Sequence, residues 1–189
     1  MTGVMDEVRD GFKFRSGTLP LDFAATLAAR LREEPRELLA APGDLARWLV
    51  AAELAAAKPK VTAQDVDDAR ALREALYRLA LARANARPLP ESDRKLLNRF
   101  AAGTTPTPRL ERDGVSWSRA DVPALLAAIA RAGVELFGGP LSDRIRQCSG
   151  EGCALLFVDT SRSGHRKWCS MAGCGNKAKV GSFRERNRE

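Results

Sequence analysis

Residues 144–178 read R-I-R-Q-C-S-G-E-G-C-A-L-L-F-V-D-T-S-R-S-G-H-R-K-W-C-S-M-A-G-C-G-N-K-A. All four cysteines of the chain lie here, Cys148, Cys153, Cys169 and Cys174, in the pattern C-x4-C-x15-C-x4-C. Two close pairs around a short β-like insert have the spacing of a four-sulfur zinc site. Each pair straddles a glycine-containing turn, residues 149–152 and 172–173, which lets two thiolates converge on one ion about 2.3 Å away. Four thiolates close the tetrahedron and leave no position for water or substrate, so one structural Zn2+ is expected. Two disulfides would use the same four residues. Residues 1–13, however, are charged and carry no apolar run like that of a secretory signal, so the expectation is a cytoplasmic chain with reduced thiols. His165, the only histidine, is a further candidate ligand four residues before Cys169. It also reads as a polar residue on a turn.

The insert has its own pattern. Residues 154–158 predict a strand, residues 166–168 its partner, and residues 160–164 the turn between them. Cys174 opens a helix-competent run to Arg188. Knuckle, hairpin, then a helix carrying the last ligand is the order of a treble-clef finger. Cys174 at a helix start would have its thiolate stabilised by free backbone N–H groups and the helix dipole.

Cys174-Gly175-Asn176-Lys177, after Thr160-Ser161-Arg162-Ser163-Gly164-x-Arg166-x-Trp168-Cys169-Ser170-Met171, resembles the CGNR zinc finger. Lys177 stands where that family has Arg, which keeps the charge but loses the planar five-donor fork. Upstream, Gly17-Thr18-Leu19-Pro20-Leu21-Asp22-Phe23 and Thr26 are similar to the N-terminal signature of ABATE, the domain that accompanies CGNR fingers. Asp44-Leu45-x-x-Trp48-Leu49, residues 71–76 and Leu97-Asn98 are similar to later parts of it, and Ala25 stands where the family has Asn. That family is regarded as stress-induced transcriptional regulators. The resemblance therefore implies transcription regulation in a stress response, with a first domain that senses a ligand or mediates dimerisation.

The remaining sequence fits a mostly helical domain. Residues 11–16 alternate as a short strand with Phe12 and Phe14 on one face. Helices are expected over 21–32, over 45–57, from a capping box at Thr62 and Asp65 to about residue 87, and over 91–102. Another is expected over 124–137, with Asp121 as cap and Pro123 in its first turn. Arg70, Arg73, Glu74 and Arg78 fall on the wet faces of the long helix. Asp113-Gly114 signals a hairpin. Gly138-Gly139-Pro140 is the natural break. The fold class is thus α+β, with a mainly helical domain over 1–140, a treble-clef-like finger over 141–189, and separate stabilities for the two.

Charge distribution points to a partner. Residues 160–189 hold eight basic and two acidic side chains, an excess of +6, which leaves the first 159 residues at +1. On a helix from Cys174, Lys177, Arg184 and Arg188 share one face, and Arg162, Arg166 and Lys167 add a patch on the hairpin. Clustered cations of this kind neutralise phosphates and release counterions. DNA, contacted mainly through its backbone with Asn176 near the same surface, is the expected partner. The competing reading is a protein-interaction module whose finger docks an acidic partner or makes a homodimer. No run of 18 apolar residues exists, so no helix is expected to span a membrane. No phosphate loop or nucleophile–base pair is present, and one histidine limits acid–base chemistry, so an enzyme is not expected. Asp22 with Thr26 is the one polar constellation of the first domain. It reads as a ligand pocket between strand and first helix, or as a carboxylate bonded to local N–H groups at a helix start.

Overall fold

The computed structural model describes residues 7–118 and 120–186, with 182–186 as backbone alone. Strands β1 (Glu7–Arg9) and β2 (Phe12–Phe14) pair antiparallel around Asp10-Gly11. Both turn residues have positive φ, 46° and 81°, which matches the right-handed twist of the strands they join. Phe12 and Phe14 point into the core, as the alternation predicts.

The first helix is shorter than expected. α1 is Leu19–Ala24. Beyond it, β3 (Leu27–Ala28) pairs with β4 (Arg36–Glu37). The alanine-rich run after Leu21 has high helix propensity, but Ala29 takes φ 56° and turns the chain. Leu31, which lies within the helix expected over 21–32, is in a turn and exposed. α2 (Pro42–Ala51) also stops early, where Glu53 adopts φ 60° and the Leu54 N–H bonds back to Leu49 O.

The long helix is as expected. α3 (Ala63–Ala84) begins at Thr62, whose hydroxyl accepts from the Asp65 N–H while Asp65 accepts from the Thr62 N–H. α4 (Glu91–Ala101) and α5 (Val122–Gly138) follow. The Asp121 carboxylate caps α5 by accepting from Ala124 N–H at 3.0 Å. α3 is the central helix and lies against α1, α2, α4 and α5. Trp48, Phe23, Leu72, Leu76 and Leu125 fill the space between them.

Between α4 and α5, β5 (Thr107–Glu111) and β6 (Gly114–Ser118) form the expected hairpin. Its turn is Arg112-Asp113, with Gly114 already in the strand. Directly paired residues share a face, so Pro108, Leu110, Val115 and Trp117 form one apolar side. That side is uncovered: Leu110 is 88% exposed and Trp117 57%.

The core does not end at Pro140. After a 3-10 turn (Ser142–Arg144), β7 (Ile145–Gln147) pairs with β8 (Leu156–Val158). This corrects the expected pairing of residues 154–158 with 166–168. The partner lies before the first cysteine, so the Cys148–Cys153 knuckle is the tip of the β7–β8 hairpin. A single backbone bond, Ser149 N–H to Lys167 O at 2.8 Å, joins the 166–168 segment to the knuckle. α3 lies against both strands. Ile145, Leu156 and Val158 belong to the main core, while Phe157 packs with Cys148 and Cys169 on the other side. Strand alternation sends adjacent residues to opposite faces, which makes β8 a wall shared by two cores. Val158 N–H also donates to Ser16 O at 2.9 Å. A turn at Met171–Gly175 with i→i+5 bonding then leads into α6 (Asn176–Arg186).

Candidate metal centre

The four cysteines meet although 26 positions separate the first from the last. Their sulfurs all lie within 4.8 Å of one another, and none is in a disulfide. Cys169 Sγ is 3.7 Å from Cys174 Sγ and 4.0 Å from Cys153 Sγ. A zinc tetrahedron with Zn–S of about 2.3 Å has edges of about 3.8 Å, so these separations are those of a metal cage. His165 is exposed and stands apart from this group.

The surroundings suit thiolates. Cys169 N–H and Gly150 N–H approach Cys148 Sγ at 3.3 and 3.4 Å, and such donors stabilise a charged sulfur. Without a cation the four sulfurs could not all ionise. Donation from the thiols of Cys153 and Cys169, and from these backbone N–H groups, holds Cys148 far below the ordinary thiol value. The same sharing with Cys148 pushes Cys153 up to about 11 and Cys169 further up. A bound divalent cation would hold all four as thiolates, Cys153 and Cys169 included, and its binding would release protons. Zinc would supply charge and cross-linking here, since four sulfurs leave it no open position.

Gly150 shows how closely the knuckle fits. A Cβ at this position would lie 2.8 Å from Cys174 Sγ and 2.9 Å from its Cβ. Gly150→Ala is therefore expected to lower zinc affinity about tenfold, in line with other changes to the shell behind metal ligands. Competition with a chromophoric chelator measures it; unchanged affinity would mean that the second pair moves aside freely.

The loop after β8 is organised by a residue that charge and spacing did not single out. Asp159 is fully buried. Its carboxylate accepts from Ser161 N–H and Arg166 N–H, each at 2.9 Å. Burial alone would raise its pKa, but the Ser161 hydroxyl, the N–H groups of Arg166 and Ser161 and the nearby Arg144 charge outweigh it and hold it low. Arg166 faces inward too. Its guanidinium stands 4.5 Å over the Phe157 ring and donates to Trp168 O and to Cys169 O. It thus braces the third cysteine.

The other expected phosphate contacts fall in two groups. Arg162, Lys167 and Lys177 are exposed, as are Asn176 and Lys179. Asn176 Nδ2 lies 3.5 Å from Ala172 O, in the turn before the helix. Arg184 is on α6, seven residues after Lys177 and on the same helical face, with its side chain beyond what is described. Arg188 lies outside the described residues. The Gly175 N–H is taken by Ser170 O at 3.0 Å.

In the first domain, Asp22 and Thr26 are both buried. Asp22 Oδ1 accepts from Arg15 N–H at 2.9 Å and Ser16 N–H at 3.0 Å, tying the preceding loop to the first turn of α1. Burial raises its pKa against the pull of those two bonds. The Thr26 hydroxyl donates to Phe23 O at 2.7 Å. Both residues also line a cleft of about 490 Å3.

Two family matches divide along the chain. The family described as "Putative stress-induced transcription regulator", ABATE, matches residues 17–140, and the CGNR zinc finger matches residues 144–187. No curated protein matches.

Proposed function

The chain belongs to the ABATE family and carries a CGNR zinc finger, and from that premise we propose that it regulates transcription by holding DNA backbone with its zinc-ordered C-terminal surface. The proposed ligands are Cys148, Cys153, Cys169 and Cys174. We take residues 1–140 as the unit that receives a signal or a second copy, and residues 141–189 as the unit that contacts DNA.

The observation that carries this reading is the +6 excess of residues 160–189, together with the exposure of Arg162, Lys167, Lys177 and Lys179. Between residues 176 and 181 only Ala178 is even half-buried, so the start of α6 is open to a large anionic partner. Lysine and arginine on such a surface meet phosphates and carry little base-edge information. Weak sequence preference follows, with specificity left to a second copy or to the first domain.

Lys177→Ala with Arg184→Ala is expected to weaken binding to all DNA sequences alike. It should also flatten the log–log salt slope by about 2, while zinc stays bound. A titration at several salt concentrations measures both. If the parent binds no DNA at low salt, the interaction reading replaces this one. The apolar side of the β5–β6 hairpin, Leu110, Val115 and Trp117, favours that second reading because all three side chains are exposed. No helix among the described residues is long and apolar enough to cross a membrane.

A further inference from the structure

The cleft beside Asp22 lies where the first domain meets the zinc knuckle. Leu21, Ala24 and Trp48 line it from the helical side, and Ala154, Leu155 and Leu156 from the other. Cys153 and Cys169 reach the same surface. A molecule in this space of about 490 Å3 would touch two of the four zinc-site residues while resting on the first-domain core. Such a volume is typical of sites for small organic molecules, whose lining is mostly apolar with a few polar groups that set orientation.

The polar groups are unbalanced in sign. Lys13, Arg15, Arg30, Arg32 and Arg36 line the cleft, against Asp22, Glu34 and Glu151. Among the described residues, Lys13, Arg32 and Arg36 form no ion pair. Arg30 is set deeper, its guanidinium 4.0 Å from the Tyr77 ring centroid and paired to Glu74 at 2.7 and 2.9 Å. Its Nε is buried with no hydrogen-bond partner, and a buried donor left unpaired is costly. Asp22 is already engaged by two backbone N–H groups. Glu34 and Glu151 are exposed on the rim. Arg32 comes within 4 Å of where a side chain on Gly152 would begin, so a cation of the first domain stands directly over the knuckle.

We propose that this cleft binds a small organic anion, an apolar body carrying a carboxylate or phosphate group, and that its occupancy is felt at the zinc knuckle. The apolar body lies between the helical side and residues 154–156, and the anionic end faces the Lys13 and Arg32 rim. The proposal rests on the first domain being the receiving unit. Its test reads ligand and metal alone, so its failure and a failure of DNA binding are told apart.

The probe is 8-anilinonaphthalene-1-sulfonate, an aromatic anion whose fluorescence rises in apolar surroundings, titrated into the zinc-loaded full chain. One site per chain is expected. N-phenyl-1-naphthylamine, a closely similar ring system without the sulfonate, should bind at least tenfold more weakly. Lys13→Glu with Arg32→Glu, both surface positions, should weaken the anion at least tenfold. Ala28→Trp, which fills the cleft, should remove the fluorescence rise. Saturating anion should slow zinc capture by 4-(2-pyridylazo)resorcinol at least threefold in the parent and not in either variant. Anion binding that survives both variants, or equal affinity for the uncharged probe, overturns the site. An unchanged rate of zinc capture at saturation overturns the coupling.

Discussion

Removing the zinc is expected to destabilise the helical domain as well as the finger. Sequence alone favours two independent stabilities around Gly138-Gly139-Pro140, and a finger attached by a linker would melt by itself. The packing argues otherwise. Leu156 and Val158 on β8, and Ile145 on β7, are buried in the same core as α3. The cysteines hold the other side of β8 through Phe157. Binding energy at a structural zinc site, about 10 to 16 kcal/mol in small finger peptides, is folding energy, and here part of it holds one wall of the main core. Chelation should therefore lower the midpoint of the far-UV helix signal for the whole chain, and Cys148→Ser should do the same without chelator. A chain ending at Pro140 should be less stable than the full-length protein for the same reason. A helix transition unmoved by chelator, with only the finger lost, would show that the α3 contact with the hairpin carries little free energy.

The second large effect is expected at Arg73. Helical periodicity places it on a wet face, yet it is 3% exposed. Its Nη1 donates to Glu37 Oε1 at 2.6 Å and its Nε to Glu74 Oε1 at 2.9 Å. Glu74 is also gripped by Arg30, and Glu37 lies 3.6 Å from Arg70. The network fastens the β3–β4 segment to α3. Removing one member of a buried set strands the others, at a cost of about 3 to 5 kcal/mol. Because Arg30 and Arg70 remain, Arg73→Ala should fall near the lower end, about 3 kcal/mol, in denaturant unfolding.

The pH dependence follows from Glu37 and Glu74. Burial would raise both pKa values, but the Arg73 and Arg30 partners outweigh it and hold them low. A depressed carboxyl adds stability above its unfolded pKa of about 4.3, and that stability is lost as the pH falls through its folded value. The gap between parent and Arg73→Ala should therefore be full at neutral pH and narrow in acid. A gap that does not depend on pH would assign the loss to packing.

What could be read from the sequence was what depends on neighbours in the chain. The capping box at Thr62 and the Asp121 cap, with Pro123, mark helix starts through groups within three residues of each other, and α3 and α5 begin there. The cysteine spacing is local within each pair, and the four sulfurs do converge. The early end of α1 was not legible. Residues 24–29 are nearly all alanine or leucine, and only pairing with residues 36–37 makes Leu27 and Ala28 a strand. Nor was the partner of β8, since pairing across the knuckle depends on what lies against α3. Charged residues misled most. Arg73 and Arg166 look like surface cations, and each turns inward because a carboxylate, or a ring with carbonyl oxygens, waits there. The Asp159 loop was not legible either, because it is closed by a backbone N–H seven residues on, a bond that any residue at 166 with an N–H could make.

The alternation along β8 limits how this chain can be recombined. A finger tied to its neighbour by a linker can be moved by cutting the linker and joining the piece elsewhere. Cutting after Pro140 would instead transplant Ile145, Leu156 and Val158 with no core to receive them, and leave the donor's α3 with its flank open to water. A graft that folds must bring a surface shaped like that flank of α3, or replace those three residues with polar ones. In a chain built this way, the finger and the helices beneath it can be exchanged only as a set.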